Sequence, residues 1–183
     1  MSQNPSKYYF YIAIAIFFAV SLVWIIQDSN NANQKNHLND SATRDSLNIS
    51  DDLDSLRTEL IKYPDDADLN GQMANMLFDI QKYNEAIIYY RKTLLAQPDF
   101  ISAQIDLSIC YYSLKIIDTA LVEMENALKI DSGHLKGLFN MGVMYYNTGQ
   151  VDSAIHYWKQ LLNQHPDSRE AEVARGILNK LNT

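Results

Sequence analysis

The chain has 183 residues, with 15 basic and 22 acidic side chains and a formal net charge of −7 at pH 7. Its first 50 residues contain three basic and three acidic side chains, so the whole net charge falls on the remainder, which argues against nucleic acid and anionic lipid headgroups as partners. Cys110 is the only cysteine, and with no basic neighbour to activate it we expect a buried, inert thiol.

The first predicted element is a membrane-spanning helix over residues 8–26, after a short N-terminal tail of residues 1–7. This uninterrupted apolar run would span roughly 28 Å as a helix, close to the thickness of the hydrocarbon core. Lys7 precedes the run and Asp28 is the first charge after it, so the positive-inside rule places the N-terminus in the cytoplasm. We therefore predict a single-pass protein of the bacterial inner membrane, with its remaining residues in the periplasm.

A cleaved secretion signal is the alternative interpretation of the same run. Ala19, Val20 and Ser21 resemble a small-residue cleavage site. Cleavage there would leave the apolar residues 22–26 at the new N-terminus, and the run is longer than the roughly 7–15 residues of a signal core. Both observations favour an anchor that is retained.

Residues 27–50 are predicted to form a flexible polar linker. They include six asparagines and almost no large apolar side chain, so they cannot bury enough surface to fold. The ends of a flexible coil of this length would lie roughly 27 Å apart, which would hold the following domain close to the bilayer.

The rest of the chain repeats one apolar pattern every 34 residues. Two columns contain small residues: Ala74, Ser108 and Gly142, then Ala86, Ala120 and Ala154. Two more columns contain bulky residues: Leu77, Tyr111 and Tyr145, then Tyr90, Met124 and Trp158. Small residues are needed where two helices cross closely, and bulky residues fill the space between neighbouring helices. The pattern therefore predicts closely packed helices that recur every 34 residues.

These columns resemble the pattern of the tetratricopeptide-repeat (TPR) family over about residues 51–181. The resemblance implies an all-α solenoid of antiparallel helix pairs, with three full repeats and two caps. These are an N-terminal capping half-repeat over 51–66, repeats over 67–100, 101–134 and 135–168, and a C-terminal capping helix over 169–183. The chain departs from the family where Asn70, Gln104 and Leu138 replace the usual tryptophan and Ser132 replaces a closing proline.

Short polar residues mark the predicted helix starts. Asn84, Asp118 and Asp152 share one column just before the second helix of each repeat, where they would cap the backbone as N-cap residues. Asp66, Asp99 and Ser168 stand at the predicted starts of three other helices.

We predict no catalytic, cofactor-binding or metal-binding site. The four histidines have no partner at ligand spacing, and the chain contains no glycine-rich phosphate loop and no nucleophile motif. We therefore interpret the chain as a non-enzyme without a cofactor or a small-molecule substrate.

The resemblance implies a concave groove, lined by the first helix of each repeat, that binds a protein or peptide segment. The predicted contacts are Asn75, Phe78, Ile105, Ile109, Tyr112, Phe139, Asn140, Val143, Tyr146 and Asn147. The apolar members would anchor a segment, and the amides would bond its backbone. The basic and amide clamp with which some family members hold a C-terminal carboxylate is largely missing, because Gly71 and Asp106 occupy two of its places and only Asn75 fits. In the alternative arrangement the C-terminal helix folds across the groove, and some of these side chains belong to the core.

Together these expectations describe a membrane-anchored scaffold or adaptor that holds a partner polypeptide beside the bilayer through its groove. The alternative is an assembly subunit of a membrane machine. In that case the chain would be similar to the anchored TPR subunits of cytochrome c maturation, which present apocytochrome, or to an ancillary translocon component. This second likeness depends on the shared architecture and on the spacing of Ala154 and Trp158.

Overall fold

The computed structural model describes residues 49–181, and every regular element in that range is an α-helix. The first helix, α1, covers residues 49–62 of the described chain. Seven further helices follow: α2 Ala67–Asp79, α3 Tyr83–Ala96, α4 Ile101–Ser113, α5 Ile117–Ile130, α6 Leu135–Asn147, α7 Val151–Gln164 and α8 Arg169–Leu181. Residues 49 and 50 are already helical, so α1 includes two residues that we had predicted as linker.

The helices α2 to α8 stack as successive antiparallel hairpins. Helix α2 pairs with α3, α4 with α5, and α6 with α7, while α3 contacts α4 and α5 contacts α6. The first helices also contact one another, α2 with α4 and α4 with α6, so they form an inner layer and α3, α5 and α7 form an outer layer. This is the predicted all-α solenoid.

Helix α8 extends the inner layer at the C-terminal end of the stack. It contacts α6 and α7 and none of the helices α2 to α5. The C-terminal helix therefore does not fold across α2 and α4, which was the alternative arrangement for the groove.

The predicted small and bulky columns meet in the core between the two layers. Ala86, Ala120 and Ala154 are fully buried where each pair of helices crosses. The bulky residues of the outer helices, Tyr90, Met124 and Trp158, are buried beside them. Tyr145 is only half-buried, and its ring stacks on Tyr157 of α7 with the ring centroids 5.6 Å apart.

Polar residues in the core bond to backbone carbonyls at helix ends and crossings. Asn70 donates from Nδ2 to the carbonyl oxygens of Pro64, at 3.0 Å, and Asp66, at 2.7 Å, so it fixes the turn before α2. Ser108 donates from Oγ to the carbonyl oxygen of Ala120 at 2.7 Å, which joins α4 to α5. These bonds offset much of the cost of burying polar groups.

The prediction that Asn84, Asp118 and Asp152 are N-caps is wrong. Helices α3, α5 and α7 begin two residues earlier than predicted, at Tyr83, Ile117 and Val151, so each of these side chains lies at the second helical position. The residues at the cap positions, Lys82 and its equivalents in the next two repeats, make no side-chain capping bond. Asp118 and Asp152 instead place negative charge in the first turn, where the helix dipole favours it.

A recurring turn between the two helices of each repeat explains the early start. Its middle residue has a left-handed backbone, with φ of 61° at Gln81, 64° at Lys115 and 81° at Gly149. The next backbone N–H then bonds to the carbonyl five residues earlier, as from Lys82 to Leu77 at 2.8 Å. This bond closes the first helix and directs the chain straight into the second. By contrast, Asp66 and Ser168 do cap α2 and α8, where they accept from the backbone N–H groups of Leu69 and Ala171. The predicted start at Asp99 is wrong, because Phe100 is the N-cap residue of α4 and no side chain caps that helix.

The predicted N-terminal tail, membrane-spanning helix and most of the linker lie outside the described residues. Between residues 49 and 181, no helix combines the length and apolar character needed to cross a bilayer.

Candidate groove interface

The ten residues predicted to bind a partner all lie on α2, α4 and α6. We call the inner faces of these three helices the groove. Asn75, Tyr146 and Asn147 are exposed there, and most of the other predicted residues are half-buried. Because the packed helices already hold these side chains in place, a partner can cover them at a small cost in side-chain conformational entropy.

Ile105 is an exception, and its predicted contact with a partner is wrong. Its exposed fraction is 0%, so it lies beneath the surface of the groove. Its Cδ1 atom lies 3.5 Å from the place where a Cβ atom on Gly137 would stand. The backbone of α6 therefore lies over Ile105 at this point, at an ordinary packing distance.

Phe78, Tyr112 and Tyr146 form a column with one aromatic residue from each inner helix, and α6 adds Phe139 to the groove. Two of them rest on aromatic residues of the outer layer. The Phe78 ring meets Tyr90 edge to face with the centroids 6.5 Å apart, and the Tyr146 ring lies 5.6 Å from that of Trp158. Tyr146 nevertheless keeps an exposed fraction of 40%. These rings are therefore held in place by the core while part of their surface faces outward.

The amide side chains of the groove are oriented by hydrogen bonds. Tyr90 donates from its hydroxyl to Asn75 Oδ1 at 2.8 Å, and Asn147 donates from Nδ2 to the Tyr112 hydroxyl at 2.7 Å. Each amide has a second polar atom, Nδ2 of Asn75 and Oδ1 of Asn147, that is suited to a partner's backbone. Asn140 donates from Nδ2 to the carbonyl oxygen of Lys136 in its own helix at 2.8 Å.

An ion pair that the sequence analysis did not identify joins the three inner helices. Lys136 Nζ on α6 lies 2.5 Å from Asp106 Oδ1 on α4 and 6.0 Å from the ring centroid of Phe78 on α2. The Asp106 side chain is 16% exposed and the Lys136 side chain 49% exposed. The two residues are 30 positions apart, which is one repeat of 34 residues minus about one helical turn. This spacing places them on facing turns of neighbouring inner helices, so the sequence could have predicted the ion pair.

The Asp106 carboxylate also affects two buried groups behind the groove. Burial raises the pKa of Tyr90 well above its ordinary value, and the negative charges of Asp106 and Asp79 raise it further. Burial, followed by Asp106, raises the pKa of the Cys110 thiol to about 12. Cys110 is fully buried, in accord with the inert thiol expected from the sequence.

A second lysine faces another aromatic residue of the groove. Lys115 Nζ, from the turn after α4, lies 5.7 Å from the ring centroid of Tyr112. Phe78 and Tyr112 therefore each already have an ammonium group near the ring face.

Shallow clefts also occur on the outer face, between neighbouring repeats. One has a volume of about 300 Å³ and lies between α5 and α7, with Leu128 and Tyr157 among its lining residues. Another, about 360 Å³, is lined in part by Leu94 and Glu123, the residues 34 positions earlier. Because the two clefts are related by the repeat, we interpret them as gaps that arise wherever two outer helices stack, and we prefer the groove as the candidate interface.

The helices and the groove define an α-solenoid built from helix hairpins with a 34-residue period. The chain carries tetratricopeptide repeats: two family models, both described as tetratricopeptide repeat, match residues 67–100 and 136–168.

Similar proteins include Hsp70-Hsp90 organizing proteins and a member of the BBSome complex. Hsp70-Hsp90 organizing protein 3 of Arabidopsis thaliana is 24% identical over 130 residues, which cover 69% of this chain and 23% of that protein. BBSome complex member BBS4 of Bos taurus is 29% identical over 132 residues, which cover 72% of this chain and 25% of that protein. The chain thus spans about a quarter of the length of these curated relatives.

Solved structures show the same fold. MamA superposes with a TM-score of 0.64 at 15% identity, covering 74% of this chain and 82% of MamA. The first TPR domain of Spaghetti (RPAP3), bound to the HSP90 peptide SRMEEVD, superposes with a TM-score of 0.58 at 23% identity, covering 64% of this chain and 94% of that domain. The likeness to cytochrome c maturation subunits remains a prediction.

Proposed function

We propose that this chain is a protein-interaction scaffold whose groove binds a segment of a partner polypeptide. The observation that carries the proposal is the series Phe78, Tyr112 and Tyr146, which places one aromatic ring from each inner helix in a single groove. Rigid, partly exposed aromatic side chains are common binding hot spots, because they bury a large area and lose little conformational freedom. The proposed role is non-enzymatic.

The similar proteins support this proposal. The RPAP3 domain shares the fold and is bound to a peptide, and the curated relatives include proteins named for organising two chaperones. Oriented amides in the groove, Asn75 and Asn147, provide the polar atoms that an extended or helical segment needs for its backbone.

The proposed scaffold acts beside a membrane, with residues 8–26 as its anchor and the repeats in the periplasm. This part of the proposal depends on the apolar run and on the charges that flank it. A carbonate wash of isolated membranes tests the anchor, since an integral protein stays in the pellet. The orientation is tested with a reporter that is active only in the cytoplasm, fused after Thr183. Activity of that reporter would contradict the periplasmic location.

Site-specific photocrosslinking tests the groove directly. A photoreactive phenylalanine analogue is placed at Tyr146 or at Asn147 in the full chain, and irradiated in native membranes. The matched controls carry the same analogue at Ile88 and Val122, which are exposed on α3 and α5 of the outer layer. We expect one specific adduct from the groove positions and none from the controls. Equal adducts from both faces, or adducts from the outer face alone, would contradict the proposal.

A further inference from the structure

We infer that Phe78, Asp106 and Lys136 form a cation subsite in the groove, which takes a lysine or arginine side chain of the partner segment in place of the Lys136 ammonium. The inference rests on the proposed function and specifies the chemistry of the segment that binds. It assigns an apolar segment with a basic residue, rather than an acidic one, as the occupant of the groove.

The structure shows that this place already holds an ammonium group. Lys136 Nζ bonds the Asp106 carboxylate at 2.5 Å and lies 6.0 Å from the Phe78 ring centroid. A carboxylate and an aromatic face are the two groups that bind an ammonium or guanidinium ion most favourably. The carboxylate comes from α4 and the ring from α2, so the site requires two adjacent repeats.

The resident lysine can be exchanged, whereas the carboxylate is fixed. The Lys136 side chain is 49% exposed and reaches the site from the first turn of α6, so it can turn outward into solvent. Because the Lys136 end of this ion pair is half exposed, solvent screens the pair and its loss is small, whereas a partner cation covered by the bound segment would be screened less on the same carboxylate. Asp106 is 16% exposed, so the carboxylate remains in the groove when Lys136 leaves.

The surrounding charge favours a cation and opposes an anion. Asp68 and Asp79 of α2 are exposed near the two ends of the same inner helix, and Asp79 acts with Asp106 on the Tyr90 hydroxyl. Residues 51–183 carry the entire net charge of −7. An acidic segment would meet these carboxylates, and Lys136 is already neutralised by Asp106.

The test uses a set of ten-residue amidated peptides that differ at one central position. They share flanking leucine and tyrosine residues, and the central residue is lysine, its neutral isostere norleucine, or glutamate. Binding of each fluorescent peptide is measured by anisotropy with the full chain in nanodiscs of zwitterionic lipid, and empty nanodiscs serve as the blank. We expect the lysine peptide to bind about tenfold more tightly than the norleucine peptide, as for a hydrogen bond to a charged group, and the glutamate peptide most weakly.

Two variants change this preference in opposite directions. Asp106→Asn removes the carboxylate, so the lysine and norleucine peptides should bind equally. Lys136→Gln removes the competing ammonium, so the advantage of the lysine peptide should grow by about two- to fivefold, the value of an exposed ion pair. Asp118→Asn and Lys129→Gln make the same charge changes on the outer helix α5 and should leave the preference unchanged. If Asp106→Asn fails to fold, the test depends on Lys136→Gln alone, and an unchanged preference for the lysine peptide in that variant would contradict the subsite.

Equal binding of the lysine and norleucine peptides by the unmodified chain would overturn the cation subsite. The proposed function would survive that result if both peptides bind and Tyr146→Ala weakens both. If no peptide of the set binds, the subsite is overturned, and the photocrosslinking experiment reports separately on the groove.

Discussion

Gly142 of α6 and the indole ring of Trp158 on α7 occupy adjoining space in the core of the third repeat. A Cβ atom built on Gly142 would lie only 2.3 Å from Trp158 Nε1, closer than nonbonded atoms approach. The indole N–H donates to the carbonyl oxygen of Phe139 at 3.3 Å, and the ring supports Tyr146 in the groove. A missing side chain on one helix thus allows the largest side chain of the next to be fully buried.

Gly142→Ala should therefore destabilise the fold, even though alanine is the better helix former. Overpacking a tight core typically costs about 1–3 kcal/mol, which exceeds the gain in helix propensity of about 1 kcal/mol. The matched control is Gly176→Ala in α8, where a Cβ would meet no atom within 4 Å. That change should raise the free energy of unfolding in urea by about 0.5–1 kcal/mol. Equal effects of the two substitutions would contradict the packing described for Trp158.

The left-handed turn between the helices of the first repeat predicts a position where a change to glycine should stabilise the fold. Gln81 has a φ of 61° without the conformational freedom of glycine, whereas Gly149 stands at the equivalent turn with a φ of 81°. Gln81→Gly should stabilise the chain by about 1 kcal/mol, because it removes the strain of a left-handed side-chain residue. Gly149→Ala should destabilise it by a similar amount, although no atom lies within 4 Å of the new Cβ. Thermal melts of both variants check the two signs.

Cys110 provides a probe of unfolding. Its pKa of about 12 in the folded state lies above its ordinary value, so the folded thiol stays protonated at pH 8 while the unfolded thiol begins to ionise. The contribution of the protonated Cys110 thiol to the free energy of unfolding is therefore fully present below the ordinary pKa of about 8.5. It is lost as the pH rises toward the pKa of the folded state. Because the chain has one cysteine, labelling with a disulfide reagent at pH 8 should be slow in the native protein and rapid in urea. Rapid labelling of the native protein would show that the α4 core opens easily.

Much of the fold could be predicted because the information is local and repeated. Ala120 and Trp158 belong to columns that recur at every repeat, and each column specifies a small or a bulky residue at one helix crossing. The sequence therefore predicts the number, order and pairing of the full repeats.

The groove was predicted less completely because its details depend on contacts between repeats. Ile105 shares a column with Phe139, yet only Ile105 is fully buried, because the next inner helix packs against it near Gly137. The bond between Asp106 and Lys136 likewise crosses from one repeat to the next. The helix starts were misplaced for a different reason: the left-handed turn at Gln81 and its equivalents closes one helix and opens the next without a polar cap.

The most direct test of the groove compares Tyr146→Ala with Tyr111→Ala, in chains that carry the photoreactive residue at Asn147. Tyr146 is 40% exposed in the groove, whereas Tyr111 is 6% exposed. Melting temperature and adduct yield are measured for both. We predict that Tyr146→Ala keeps the fold and loses about 2 kcal/mol or more of partner binding, so that little adduct forms. Tyr111→Ala should instead lower the melting temperature, as expected from a loss of about 3 kcal/mol or more in the core. A Tyr146→Ala chain that stays folded and yields the full amount of adduct, or one that unfolds as readily as Tyr111→Ala, would contradict the groove as the binding surface.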